Sequence, residues 1–203
     1  MASPDNNFYQ TIEKASIAEF KNRGSRFIAY AFTISSVDDF KKRLKELKEE
    51  HPKAVHHCFA YRIGNDGNNF RSSDDGEPLG SAGRPILGQI DSKGVTNTAV
   101  IVVRYFGGTL LGVPGLINAY KTATSSALQS SSIVKKPILV NYRLQFDYTI
   151  LNNVMKILKK YDCIVLKQDL QLFCMIEVAI PRSELEPCLL HLKSLKSMEL
   201  SAF

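Results

Sequence analysis

Three carboxylates, Asp74, Asp75 and Glu77, lie close together between Ser72-Ser73 and the run Pro78 to Pro85. At that spacing they could hold a cation or work as acid and base, because clustered carboxylates raise one another's pKa when poorly solvated. The same residues have a structural use. Asp-Gly and Glu-Pro are turn sequences, and Asp75 or Glu77 could cap a helix or pair with Arg84. No nucleophile or set of metal ligands completes the cluster, so the expectation is no catalytic residue, no metal and no cofactor.

A second group mixes cations, rings and glycines. Arg71, Arg84, Arg104 and Lys121 all flank loops, and Tyr105 and Phe106 precede Gly107, Gly108, Gly112 and Gly115. Cations beside aromatic rings at a glycine loop suit single-stranded or irregular RNA, whose phosphates take the charge and whose bases stack. A strand, a glycine loop and a helix in series also aim free backbone N–H groups at an anion. No Gly-Lys-Ser/Thr follows, and no GxGxxG fingerprint is present, so the loop is not a recognised nucleotide motif. Without a ligand, the glycines permit tight turns and close packing, Tyr105 and Phe106 fill core, and Arg104 pairs with Asp74 or Asp75. If the acidic and glycine loops form one surface, Asp75 or Glu77 comes within hydrogen-bonding reach of Arg84 or Arg104.

His56, His57 and Cys58 invite a paired-ligand or Cys-His reading. Adjacent side chains on a strand point to opposite faces, so His57 is expected as a hydrogen-bonded core histidine and Cys58 as a buried structural thiol. The other cysteines, Cys163, Cys174 and Cys188, form no CxxC pair and are expected as reduced thiols.

The elements that must position these residues follow from periodicity. Ala99 to Val103 is an unbroken apolar run, as in a central strand covered on both faces, and Leu116, Ile117, Ala119, Tyr120 and Ala123 return at helical spacing after the loop. Upstream, residues 1 to 10 read as frayed, Phe27 to Ile34 as a strand, and Ser35 or Ser36 as the cap of a helix that closes at Pro52. Ala54 to Ile63 is a strand, Asn65-Asp66-Gly67-Asn68 a hairpin turn, Asn69 to Ser73 the returning strand, and Pro85 to Ser92 a helix. Ser130 to Pro137 reads as a linker. Beyond it, strand, helix, strand, strand, helix, strand over 138–202 is the ferredoxin-like βαββαβ plan, suited to binding or to homo-oligomer formation. The expected class is α+β, with an N-terminal βαβ domain over 1–137 and a C-terminal ferredoxin-like domain over 138–203.

Composition agrees with a globular protein, at 44% hydrophobic and 23% charged residues in 203. No apolar run approaches the roughly 20 residues that cross a bilayer, and no signal peptide is legible, so the expected compartment is the cytoplasm with no membrane partner. Of the net charge of +6, most lies before the break: 18 basic and 13 acidic residues up to Pro137, against 8 and 7 after it. That asymmetry permits an anionic partner such as RNA.

Three motifs together resemble one family. His57-Cys58-Phe59-Ala60-Tyr61-Arg62-Ile63-Gly64, Ser73 to Pro78 with Gly80 to Pro85, and Arg104-Tyr105-Phe106-Gly107-Gly108 with Leu111-Gly112 and Gly115-Leu116 resemble the IMPACT family, bacterial YigZ and YvyE type. The resemblance implies a first domain like one shared by a small-subunit ribosomal protein and domain IV of elongation factor G. It implies a second domain like domain V of that factor, and a translation-linked role with RNA or the ribosome as partner. Eukaryotic relatives act by competing for the activator of a stress kinase, a mechanism not expected in a chain that looks bacterial. Gly112-Val113-Pro114-Gly115-Leu116 and Asn118 depart from the family pattern, which carries a further glycine and a cation there. The alternative is an enzyme acting on a phosphorylated or peptide-like small molecule at Asp74, Asp75 or Glu77 beside the glycine loop.

Overall fold

The computed structural model describes residues 7–203. They form two compact units, Tyr9–Lys136 and Pro137–Phe203, the second including Asn7 and Phe8.

Up to Pro137 the elements are β1 (Phe8–Ile12), β2 (Ser16–Asn22), β3 (Ser25–Thr33), α1 (Val37–Glu50), β4 (His56–Ile63), β5 (Asn69–Ser73), α2 (Gly83–Ser92), β6 (Thr98–Tyr105), α3 (Gly112–Gln129) and β7 (Ile133–Pro137). Five strands form one sheet in the order β2-β3-β6-β4-β5, antiparallel at every step, so β6 lies at its centre. Its apolar run has no polar face because both faces are covered. Val100 and Val102 pack with Phe27, Ala29, Cys58, Ala60 and the helices α2 and α3. Ile101 and Val103 pack with Tyr30, Phe59, Tyr61 and the helix α1 through Phe40 and Leu47. Each fully buried aliphatic side chain contributes about 1.5–3 kcal/mol relative to exposure.

Local signals place the helices. Ser36 accepts a hydrogen bond from the Asp39 N–H (3.1 Å), while the Asp39 carboxylate accepts from the Ser36 N–H (3.0 Å), a reciprocal cap that starts α1. Arg23 and Gly24 both have positive φ, at 45° and 78°, and make the tight turn between β2 and β3.

Three segments differ from the expectation. The segment expected to be frayed contains β1 from Phe8 onward; residues 1–6 lie outside the described residues. Most of the expected linker, from Ile133 to Pro137, is β7, paired with β1 in a two-stranded ribbon. β2 carries no strong strand signal, because its inner face is only Ser16, Ala18 and Phe20 while Ile17 is turned outward.

The second unit runs β8 (Leu139–Asp147), α4 (Leu151–Lys160), β9 (Ile164–Leu170), β10 (Phe173–Pro181), α5 (Leu185–Lys193) and β11 (Glu199–Ala202). Its antiparallel sheet is ordered β11-β8-β10-β9. Every second residue of β10, from Cys174 to Ile180, meets Leu144, Phe146, Val154, Leu158, Cys188 and Leu192 in one core.

Candidate functional site

The acidic loop joins β5 to α2, and its three carboxylates take three different partners. Asp74 accepts hydrogen bonds from the backbone N–H groups of Gly80 (2.8 Å), Ala82 (2.9 Å) and Gly83 (2.8 Å). It thereby supplies the cap that Ala82, with no side-chain acceptor, cannot give α2. Burial raises the Asp74 carboxyl's pKa, but those backbone donors, with Arg84 nearby, outweigh it and hold the group below its ordinary value. Asp75, at a positive φ of 42°, accepts from the backbone N–H of His57 at 2.7 Å, and its carbonyl lies 2.7 Å from His56 Nδ1. The loop is thus tied to the start of β4.

Glu77 goes inward. Its Oε1 accepts from Arg104 (2.5 Å) and from the Tyr120 hydroxyl (2.7 Å), with His56 Nε2 at 3.8 Å. Both partners of the ion pair are buried, Glu77 at 8% and Arg104 at 5% exposure. The expected contact between this loop and Arg104 is therefore present: of the acids that could make it, Glu77 does, and Asp74 and Asp75 take other partners. Cys58 sits beneath, its Sγ 2.9 Å from the Asp74 carbonyl and 3.2 Å from the Tyr120 hydroxyl. Burial pushes the Cys58 thiol and the Tyr120 phenol far up, so both stay protonated. His57 points to the opposite face, where burial pushes its imidazole down and Nε2 has no hydrogen-bond partner among the described residues.

These contacts bear on chemistry. The enzymatic alternative needs an available carboxylate, whereas each of the three already holds a backbone, a helix end or a guanidinium. No cluster of three or more potential metal ligands occurs among the described residues.

The glycine loop lies on the same surface. Glu77 and Pro78 line one cleft with Arg104, Phe106, Gly112 and Val113. The cleft holds about 360 Å³, and its walls are mainly apolar: Val55, Phe106, Leu110, Leu111, Val113 and Leu116. At its mouth α3 begins with no side-chain cap and no acidic residue in its first turn, so its N–H groups and positive dipole end are unopposed there. The glycines divide by purpose. A Cβ on Gly107 would come within 1.9 Å of a Gly24 backbone atom, so Gly107 allows the loop to pack on the β2–β3 turn. Gly108 (φ 85°) meets nothing within 4 Å, and Gly112 (φ 68°) only the Pro114 ring; they provide left-handed backbone without a packing demand.

The sequence-predicted residues are only partly brought together. Arg104 is a buried partner of Glu77 and no surface cation; its guanidinium lies between the Phe27 ring (5.4 Å) and the Phe106 ring (5.7 Å). Tyr105 and Phe106 form no common platform. Tyr105 turns to the α1 face and bonds His51 Nδ1 at 2.8 Å, while Phe106 stands 48% exposed in the cleft. Arg71, Arg84 and Lys121 are exposed, on β5, α2 and α3. The sequence reading missed Tyr120 as the third member of the Glu77 pair. It also missed the apolar wall of Val55, Leu110 and Val113. Exposed apolar residues inside a glycine loop were the available signal for that wall.

A family model for the Impact N-terminal domain matches residues 23–128. The chain is 37% identical over 162 residues to IMPACT family member YigZ of Escherichia coli strain K12, covering 79% of each chain. It is 34% identical over 146 residues to IMPACT family member YvyE of Bacillus subtilis strain 168, covering 72% of this chain and 67% of that one. The crystal structure of a hypothetical protein matches with a TM-score of 0.78 at 32% identity, covering 97% of this chain and 98% of that one.

Proposed function

The chain belongs to the IMPACT family, and from that membership we propose that it is an RNA- or ribosome-associated protein linked to the regulation of translation. In this reading the first unit takes the fold shared with the ribosomal protein and elongation factor G domain IV. The second is the ferredoxin-like unit, which serves as a binding or self-association module. The protein works in the cytoplasm; no helix among the described residues is long and apolar enough to cross a membrane.

One observation carries the choice of surface. At the head of α3, unopposed backbone N–H groups stand beside a half-exposed Phe106 ring, while every nearby carboxylate is engaged inside the fold. A phosphate meets the helix end without carboxylate repulsion, and a base stacks on Phe106. Arg71, Arg84 and Lys121 supply long-range attraction, and Gly107, Gly108 and Gly112 shape the loop. Arg104 acts indirectly, holding Phe106 from behind.

Filter binding of ribosomal RNA fragments across a salt series tests this. Affinity should fall with salt, with a slope shallower by about 0.7–0.9 for each phosphate that Arg84→Ala or Lys121→Ala no longer neutralises. An affinity indifferent to salt and to both substitutions would overturn the proposed surface.

A further inference from the structure

Cys163 and Cys188 belong to different elements of the second unit, and their sulfurs face each other at 3.7 Å. The approach is fixed by backbone geometry. α4 ends with Asp162 in the left-handed region (φ 50°), the Asp162 N–H bonding the Lys159 carbonyl and the Cys163 N–H bonding the Leu158 carbonyl at 2.9 Å. This paired closure of a helix end leaves the residue after the left-handed one in a set position against the last turn. Cys163 therefore projects from a rigid corner between α4 and β9. Cys188 comes from the middle of α5, fully buried, and packs in the same core. Among the described residues, no metal ligand set explains the meeting of two sulfurs at this point.

We propose that Cys163 and Cys188 are a reversible redox pair, oxidised by a peroxide to an intramolecular disulfide that joins the α4–β9 corner to α5. Disulfide formation brings the sulfurs from 3.7 Å to the S–S bond length of about 2.0 Å. The contact also prepares the thiols. The shared S–H pulls the first ionisation of the pair, at Cys188, below the ordinary thiol value and pushes the second, at Cys163, above it. Burial and the nearby Glu184 carboxylate oppose charge at both sulfurs, and Asp162 opposes it at Cys163. Cys188 is fully buried, so peroxide reaches the pair at the half-buried Cys163, where the attacking thiolate forms as its proton passes across the contact to Cys188.

The Cys163 thiolate attacks one peroxide oxygen, the O–O bond breaks, and hydroxide leaves, giving a sulfenic acid at Cys163. The Cys188 sulfur then attacks the Cys163 sulfur, the S–O bond breaks, and a second hydroxide leaves. With the two thiol protons these become two waters. Two electrons pass from the thiols to the peroxide, and a dithiol reductant returns them. The remaining thiols have no such partner: Cys58 contacts a carbonyl oxygen and Tyr120, and Cys174 a carbonyl oxygen.

The folded full chain is treated with hydrogen peroxide, alkylated in denaturant and mapped by mass spectrometry. Two of the four thiols should resist alkylation, with a linked peptide joining 163 to 188 two hydrogens lighter than its reduced parts, and dithiothreitol should restore all four. Cys163→Ser, at the half-buried position, should keep the fold by circular dichroism and abolish the link. Four alkylatable thiols after peroxide, a link through Cys58 or Cys174, or a sulfinic Cys163 with Cys188 still free would overturn the proposal. The mapping of the unmutated chain decides this even if the variant misfolds.

Discussion

In the acidic loop every carboxylate has a partner inside the fold, whereas the glycine loop across the same cleft leaves Phe106, Leu110 and Val113 exposed and α3 uncapped. The two loops look alike in sequence, each holding glycines and each beside charges, yet one has its charges bound inside the fold and the other is open. Charge is thus a poor guide to function here, because a carboxylate next to a helix end or a guanidinium has a structural partner within reach. A group of exposed apolar side chains lining one cleft, as Phe106, Leu110 and Val113 do, is more telling; Leu79 of the acidic loop is 96% exposed but does not line that cleft.

The largest effect that could break this contrast is at Glu77. Glu77→Ala leaves Arg104 buried without its counter-charge and should cost about 3–5 kcal/mol in urea unfolding. Glu77→Leu with Arg104→Met removes both charges and should be less destabilised than either single change. A Glu77→Ala protein as stable as the parent would mean that the pair is not what secures the loop. Next comes the glycine division. Gly107→Ala must displace backbone at the β2–β3 turn and should cost about 1–3 kcal/mol, whereas Gly108→Ala has open space and should lose only about 1 kcal/mol through its left-handed backbone. Equal melting temperatures for the two variants would remove the distinction.

What the sequence made legible is tied to strong local signals. The run Ala99 to Val103 announced the central strand, Ser35-Ser36 announced the start of α1, and the hairpin at Asn65-Asp66-Gly67-Asn68 announced β5. β7 was read as a linker because Ser130 to Ser132 and Pro137 surround only four residues, two of them lysines, and its pairing to β1 is a long-range backbone contact with no side-chain pattern. The site was legible as a neighbourhood, since the acidic and glycine loops do share a cleft. Which acid would take Arg104 was not. Glu77 and Asp75 lie two residues apart, and only the turn through Asp75 and Gly76, both at positive φ, sends one outward to the β4 backbone and the other into the core. Tyr120 lay hidden in an ordinary helical stripe.

Asp74 sharpens the structural half of the comparison through pH. Its pKa is held down in the folded state, so its stabilisation is complete above the unfolded-state pKa and is lost as pH falls through the folded-state value. Asp74→Asn should therefore cost about 1–2 kcal/mol at neutral pH and flatten the acid limb of the stability curve. Urea midpoints measured from pH 7 downward check this; an acid limb unchanged in the variant would show that Asp74 is not the group responsible.

The smallest effects on stability are expected in the open glycine loop. Leu110 is 82% exposed, so Leu110→Ala removes no core and should shift unfolding by no more than about 0.5 kcal/mol. Phe106→Ala also loses the ring over Arg104, an additional cost of about 0.5–1 kcal/mol. If a base stacks on Phe106, its truncation should weaken RNA binding by about 1–3 kcal/mol, while Leu110→Ala, which has no π-face, should change it less. The reverse order, with Leu110→Ala the more damaging, would identify the cleft as an apolar docking surface for a protein. Comparing binding with unfolding in the same two variants separates the readings, because any loss that came through the fold would track stability and not the ring.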